Sequence, residues 1–170
     1  MTARYPLALA VFALAACGGN GGGDAPATTT ARPAADSPAL PADFDACTLL
    51  GAEEAAAVLG APVEAPVSEA TPTLFTCTYR SDIDPLREVI VTIIEHDSPR
   101  DAILTFEQTI RRNDYSEIEG LEYRAFDPAT DDELDIVQGR HEILIDVSHP
   151  DGDERSLART IAPPILARLP

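Results

Sequence analysis

One stretch, ELDIVQGRHEILIDVSH, constrains the fold more than any other. Two runs rich in Ile, Leu and Val flank Gly139-Arg140. Glycine at the first central position of a two-residue loop marks a type II′ turn, whose twist suits an antiparallel hairpin. That turn fixes the register, with Gln138 opposite His141, Ile136 opposite Ile143 and Leu134 opposite Ile145. Val147 extends the same side. Side chains alternate with a period of two, so a slip of one residue would turn this whole apolar set towards solvent. The other side carries Asp135, Glu142 and Asp146, with Val137 and Leu144 interspersed. An antiparallel sheet with one strongly apolar face is therefore the starting point.

The flanking segments build outwards from the hairpin. Phe75, Cys77 and Tyr79 alternate with Leu74, Thr76 and Thr78, the period of a half-buried strand. REVIVTIIEH is β-branched enough to be central in a sheet. Ser98-Pro99-Arg100-Asp101 opens a helix: Ser98 caps it, Pro99 takes the first helical position and Asp101 faces the positive end of the dipole. Ile103, Phe106 and Ile110 share one face, while Arg111 and Arg112 suit the negative end. CTLLGAEEAAAVLG is a shorter helix, with Thr48 or Gly51 as cap, Glu53 and Glu54 in its first turn and Gly60 as a left-handed stop. DERSLARTIAPPILARL closes the chain with Leu157 and Ile161 inward. Pro163 and Pro164 predict a kink or a restart there, because neither ring has an N–H to donate. The order predicts one α+β domain over 43–170, an antiparallel sheet with its helices packed on one side.

The amino terminus reads differently. Arg4 precedes an apolar run from Leu7 to Ala16, too short for a membrane-spanning helix and right for a secretory h-region. Leu14-Ala15-Ala16-Cys17 resembles a bacterial lipobox. That resemblance implies a signal peptide over 1–16, cleavage before Cys17 and lipidation of its thiol. Two or three acyl chains hold a protein on a membrane where one holds it marginally. Residues 17–42, rich in Gly, Pro, Thr and Ala without periodicity, read as a flexible tether. With Cys17 consumed, Cys47 and Cys77 remain as an even pair in an oxidising compartment and predict a structural disulfide. Closing a loop of that length stabilises by roughly 3–4 kcal/mol in the chain-entropy model.

Charge narrows the partners. The chain of 170 residues carries 29 acids against 12 bases, a formal net charge of −17. Phosphate-backbone binding needs clustered cations, so nucleic acid is excluded as a partner. An anionic membrane surface repels such a domain, which leaves the lipid on Cys17 as its route to a membrane. All the bases are arginine, a bias read as base composition together with the abundant Ala, Gly and Pro.

Short motifs carry one family resemblance: Cys47-Thr48-Leu49-Leu50, Leu59-Gly60, Cys77-Thr78-Tyr79, Ile118-Glu119-Gly120-Leu121 and the closing helix Leu157 to Leu169. Together these resemble a family of uncharacterised secreted lipoproteins best represented in actinobacteria. Where that family often has Gly-hydrophobic-Gly-Asp-x-Ala, this chain has Gly120-Leu121-Glu122-Tyr123-Arg124-Ala125. The resemblance implies fold and location and transfers no catalytic residue.

The search for chemistry yields mainly exclusions. His96-Asp97-Ser98 holds the residue types of a hydrolase triad, but adjacency in sequence does not give triad geometry, and no G-x-S-x-G elbow exists. Ser98 reads as a helix cap. Asp131, Asp132 and Asp135 are the candidates for a calcium site, although the acidic stretches lack EF-hand spacing and read first as solvated loops. His96, His141 and His149 are expected to be exposed, without zinc-ligand spacing. No motif calls for a cofactor and none marks an enzyme. The expected function is a lipid-anchored, exported, non-catalytic module that binds an envelope protein or other envelope component. The alternative is a carrier or sensor with a small-molecule or lipid pocket between sheet and helices. A third possibility is a hydrolase with an unrecognised carboxylate pair.

Overall fold

A computed structural model describes residues 37–128, 133–150 and 152–170. Its elements run in chain order as a 3-10 turn (Ala46–Thr48), α1 (Ala52–Leu59), β1 (Val67–Ala70), β2 (Leu74–Arg80), β3 (Glu88–Glu95), α2 (Pro99–Asn113), β4 (Arg124–Phe126), β5 (Glu133–Gln138), β6 (His141–Ser148) and α3 (Glu154–Arg168). The strands form one six-stranded sheet in the order β1-β2-β3-β6-β5-β4, with every pairing antiparallel. This is the α+β class that the residue pattern predicts.

The β5–β6 hairpin has the expected register, with Gln138 opposite His141, Ile136 opposite Ile143 and Leu134 opposite Ile145. Gly139 supplies the turn's positive φ of 61°. Register then propagates sideways. Phe75, Ile93, Ile143, Ile136 and Ala125 form one row across five strands, and Cys77, Val91, Ile145 and Leu134 form the next. All nine are buried in a single core with Ala158, Ile161, Ala162 and Ile165 of α3 and Leu49, Leu50, Ala55 and Leu59 at the amino-terminal end. Each full burial of such an aliphatic side chain is worth about 1.5–3 kcal/mol, so these rows are the main source of stability.

Three ties lock the amino-terminal segment onto this face. Cys47 and Cys77 form the predicted disulfide, with Cα atoms 5.0 Å apart and a sequence separation of 30. The buried Tyr79 hydroxyl donates to the carbonyls of Leu50 and Cys47. Arg168, at the end of α3, reaches the Leu49 carbonyl at 2.8 Å and grips both carboxylate oxygens of Glu54 at 2.6 and 2.7 Å. Glu54 also accepts the Gly51 N–H at 2.7 Å. The Arg168 contact first, then the Gly51 N–H, hold the Glu54 carboxyl down at about 2.

Two expectations need correction and one strand is new. The helices do not share one side. Phe126 on β4 and Val137 on β5 point away from the main core, and α2 packs Ala102 and Phe106 against them on the opposite face. Apolar residues on both faces of β4 and β5 demand cover on both, which a single layer of helices cannot give. Nor do the prolines force a restart, since α3 continues as one helix through Pro163 and Pro164. Burial of Ile161, Ala162, Ile165 and Leu166 on either side of them holds it together. Strand β1, four exposed residues VSEA, has no sequence signature of its own and is set by its hairpin with β2.

Candidate functional site

The face under α2 carries the titratable groups. Asp135 stands opposite Leu144 and Glu142 opposite Val137, which makes the two acids diagonal neighbours on one side of the sheet. Both are buried, at 3% and 5% exposure. His96, just beyond β3, places Nε2 2.9 Å from Glu142 Oε2. Burial, and then the Glu142 carboxylate beside it, push the Asp135 carboxyl up to about 9, so it keeps its proton at neutral pH and hydrogen-bonds Glu142. Asp135 Oδ1 is left without a partner. The result is a neutral acid, a carboxylate and an imidazole in line.

A carboxyl held neutral at pH 7 is chemically suited to act as a general acid. That role requires contact with a substrate, and these side chains are enclosed. Among the described residues no three His, Cys, Asp or Glu side chains are placed to hold a metal ion. The arrangement works inward, as an electrostatic feature of the sheet.

The residues singled out from sequence distribute as follows. Cys17, Asp131 and Asp132 lie outside the described residues. Asp135 is not in a solvated loop, because it belongs to β5 and the alternation that takes Leu134 and Ile136 into the main core turns it under α2. The three histidines are not simply exposed. His96 pairs with Glu142, and His149 meets the Arg87 guanidinium. His141 is fully buried with neither ring nitrogen hydrogen-bonded. Its position opposite Gln138 puts it on the core side, and burial holds its imidazole down at about 4. Ser98 caps α2, accepting the Asp101 N–H at 3.2 Å.

Two surface features could receive a ligand. A hollow of about 470 Å³ lies beside α3 on the main-core side of the sheet, walled by Leu121, Pro163, Leu166 and Ala167 with Gln138 and Arg159 among its polar lining. Arg159 is already ion-paired with Asp127. The second feature is the β2–β3 connection, Ser81-Asp82-Ile83-Asp84-Pro85-Leu86-Arg87. Ser81 Oγ accepts the N–H groups of Ile83 and Asp84, each at 3.2 Å. Asp84 Oδ1 accepts the Leu86 N–H at 3.1 Å, and Arg87 Nε reaches Asp84 Oδ2 at 3.1 Å. Arg87 Nη1 also donates to the Leu59 carbonyl at 2.8 Å, tying the loop to the end of α1. This polar network holds the loop in shape while Ile83 is 73% and Leu86 66% exposed. The loop's signal in the sequence is turn chemistry, Ser-x-x-Asp-Pro, interleaved with two large aliphatics where turns ordinarily carry polar residues.

No family model and no curated protein matches the chain.

Proposed function

We propose that the protein is an exported, lipid-anchored binding module that presents an α+β domain to a protein or other component of the cell envelope. Cys17 is the anchor in this reading and residues 18–42 the leash. The lipobox-like Leu14-Ala15-Ala16-Cys17 supports export and anchoring, and so does the resemblance to secreted lipoproteins carried by the Cys47 and Cys77 motifs. The single observation that carries binding over catalysis is the distribution of exposed aliphatics around a filled core. Of the five exposed large hydrophobics among the described residues, Val67, Leu74, Ile83 and Leu86 are four, and Leu104 on α2 is the fifth. All four belong to β1, β2 or the loop that follows β2, whereas α2 packs over the far half of the sheet. Exposed apolar side chains concentrated on one part of a folded domain, here with Ile83 and Leu86 three positions apart on one loop, suit an interaction surface.

The test is crosslinking of the full chain in intact cells, followed by fractionation and mass spectrometry. The expected result is membrane-fraction adducts to an envelope component, with Cys17→Ser releasing the chain from membranes and depleting the adducts. Membrane association that survives Cys17→Ser, or an absence of adducts above background in the wild type, overturns this reading.

The hollow beside α3 favours a second reading, a carrier for a small ligand, because its volume lies within the range of small-molecule sites. A fluorescent fatty acid that binds the wild type and is displaced by Leu166→Trp would support it. It ranks second because charged and amide groups, one already ion-paired, share the lining with the apolar walls.

A further inference from the structure

We propose that the Ser81–Arg87 loop is the anchor of the binding surface, inserting Ile83 and Leu86 into an apolar pocket of a partner protein whose rim carries arginine or lysine. This rests on the binding-module reading and adds the site and the chemistry of the partner.

Three observations carry it. The first is exposure: Ile83 and Leu86 are the two most exposed large hydrophobics among the described residues. They sit three positions apart on one loop. The second is preorganisation. Ser81, itself 6% exposed, caps two N–H groups of the loop. Its own N–H donates to the Arg87 carbonyl at 3.0 Å, which closes the loop on itself, and Arg87 N–H returns to the Asp84 carbonyl at 3.0 Å. Polar contacts thus hold the loop's shape, and none of them uses the side chain of Ile83 or Leu86. Holding anchors in their bound geometry removes ordering entropy that association would otherwise cost, and a few such side chains dominate interface energetics.

The third observation is charge. Asp84 and Glu88 beside the loop are neutralised by Arg87 and Arg80. Asp82 and Glu64 are exposed and have no cation in ion-pair reach among the described residues. Glu64 is brought next to the loop by its N–H bond to the Arg80 carbonyl at 2.9 Å, and Asp82 is tied to the Pro62 carbonyl at 3.2 Å. Two aliphatic prongs flanked by two uncompensated carboxylates, on a chain of net charge −17, are complementary to an apolar pocket with a basic rim. They are poorly suited to a lipid surface carrying negative charge, or to a second copy of this chain.

The experiment uses the full chain in the cells that make it, with a photoreactive amino acid placed at Pro85, or at Arg112 on α2 as a control. Expected is a discrete protein adduct from position 85 and none from 112. In the Ile83→Ser/Leu86→Ser double variant the adduct falls at least tenfold, and in Glu64→Arg/Asp82→Arg it falls several-fold. The thermal midpoints of both variants stay at that of the parent, since neither change touches a buried group. Binding of the purified partner then weakens as salt rises, as charge-steered association does. A wild-type adduct that persists in the aliphatic double variant overturns the loop as anchor and leaves the binding-module reading standing. Loss of every adduct, chemical crosslinks included, overturns both. Adducts to a second copy of the chain overturn the partner assignment. So does aliphatic-dependent binding of the Cys17→Ser chain to phosphatidylcholine–phosphatidylglycerol vesicles, or charge reversal that strengthens partner binding.

Discussion

Glu142 meets His96 Nε2 at 2.9 Å and stands diagonal to the buried Asp135 on the face of the sheet that α2 partly covers. Asp135 is the costly member. Its folded-state carboxyl is raised to about 9 from an ordinary 3.8, by burial first and by Glu142 second. A raised acid keeps its proton in the folded chain while the unfolded chain loses it, so its contribution is full below about pH 4 and declines as pH rises towards 9. Urea denaturation of the wild type is expected to show stability falling between pH 6.5 and 9. Asp135→Asn keeps the shape and a donor for Glu142 without the ionisation, and its stability curve should be flatter over that range. Parallel curves for the two proteins would refute the raised Asp135 carboxyl.

His141 has the opposite pH dependence. Its imidazole is lowered to about 4 from 6.5, mainly by burial. The unfolded chain takes up a proton first as pH falls, so stability present above pH 6.5 is lost progressively down to about pH 4. Over that window the losses from His141 and the gains from Asp135 oppose each other, and the stability maximum should be broad and mildly acidic. Since neither ring nitrogen has a partner, His141→Leu removes an unmet desolvation cost. It is expected to stabilise the domain by about 1 kcal/mol at pH 7. The advantage should widen at pH 5. A variant less stable than wild type at both values would show that the ring is satisfied.

The amino-terminal segment depends on Cys47–Cys77 and on Tyr79. Replacing both cysteines with alanine is expected to cost about 3–4 kcal/mol, the loop-closure value for this separation. Tyr79→Phe strips the donor from the Leu50 and Cys47 carbonyls and is expected to cost about 1–2 kcal/mol. The two ties restrain the same segment, so the triple variant should lose less than the sum. Full additivity in a double-mutant cycle, measured by urea denaturation, would show them to be independent.

How much of this was legible in the sequence depends on how local each determinant is. The β5–β6 register was readable because Gly139 and the alternating Ile and Leu residues agree over 17 consecutive residues. The caps at Ser98 and Gly60 were readable for the same reason, since each is decided within one turn of helix. The disulfide followed from counting cysteines. By contrast, alternation assigned Asp135 and Glu142 correctly to the second face, but whether that face meets water is decided by α2, which packs there because of Phe126 and Val137. His141 was misplaced by attention to its nearness to the turn, although its own register opposite Gln138 already set it on the core side. The contacts inside the Ser81–Arg87 loop are local and follow its turn residues, but the tie of Arg87 to the Leu59 carbonyl joins residues 28 apart and has no local signal.

Pro163 offers a test of how tertiary packing overrides helix propensity. It lies inside α3 with its ring exposed, so its replacement removes little buried contact. It has no N–H for the Arg159 carbonyl one turn back, and an interior proline costs about 3 kcal/mol relative to alanine. Part of that is offset because proline also restricts the unfolded chain, by about 0.4–1 kcal/mol. Pro164 keeps its own penalty in either case. Pro163→Ala is therefore expected to stabilise the domain by about 1–2 kcal/mol, raising the thermal midpoint by several degrees. The same substitution should slow amide exchange through Ile161–Leu166 if the restored hydrogen bond tightens the helix. Destabilisation instead would mean that the Pro163 ring bears on the wall of the hollow that it lines, and that α3 tolerates the missing bond because that contact replaces it.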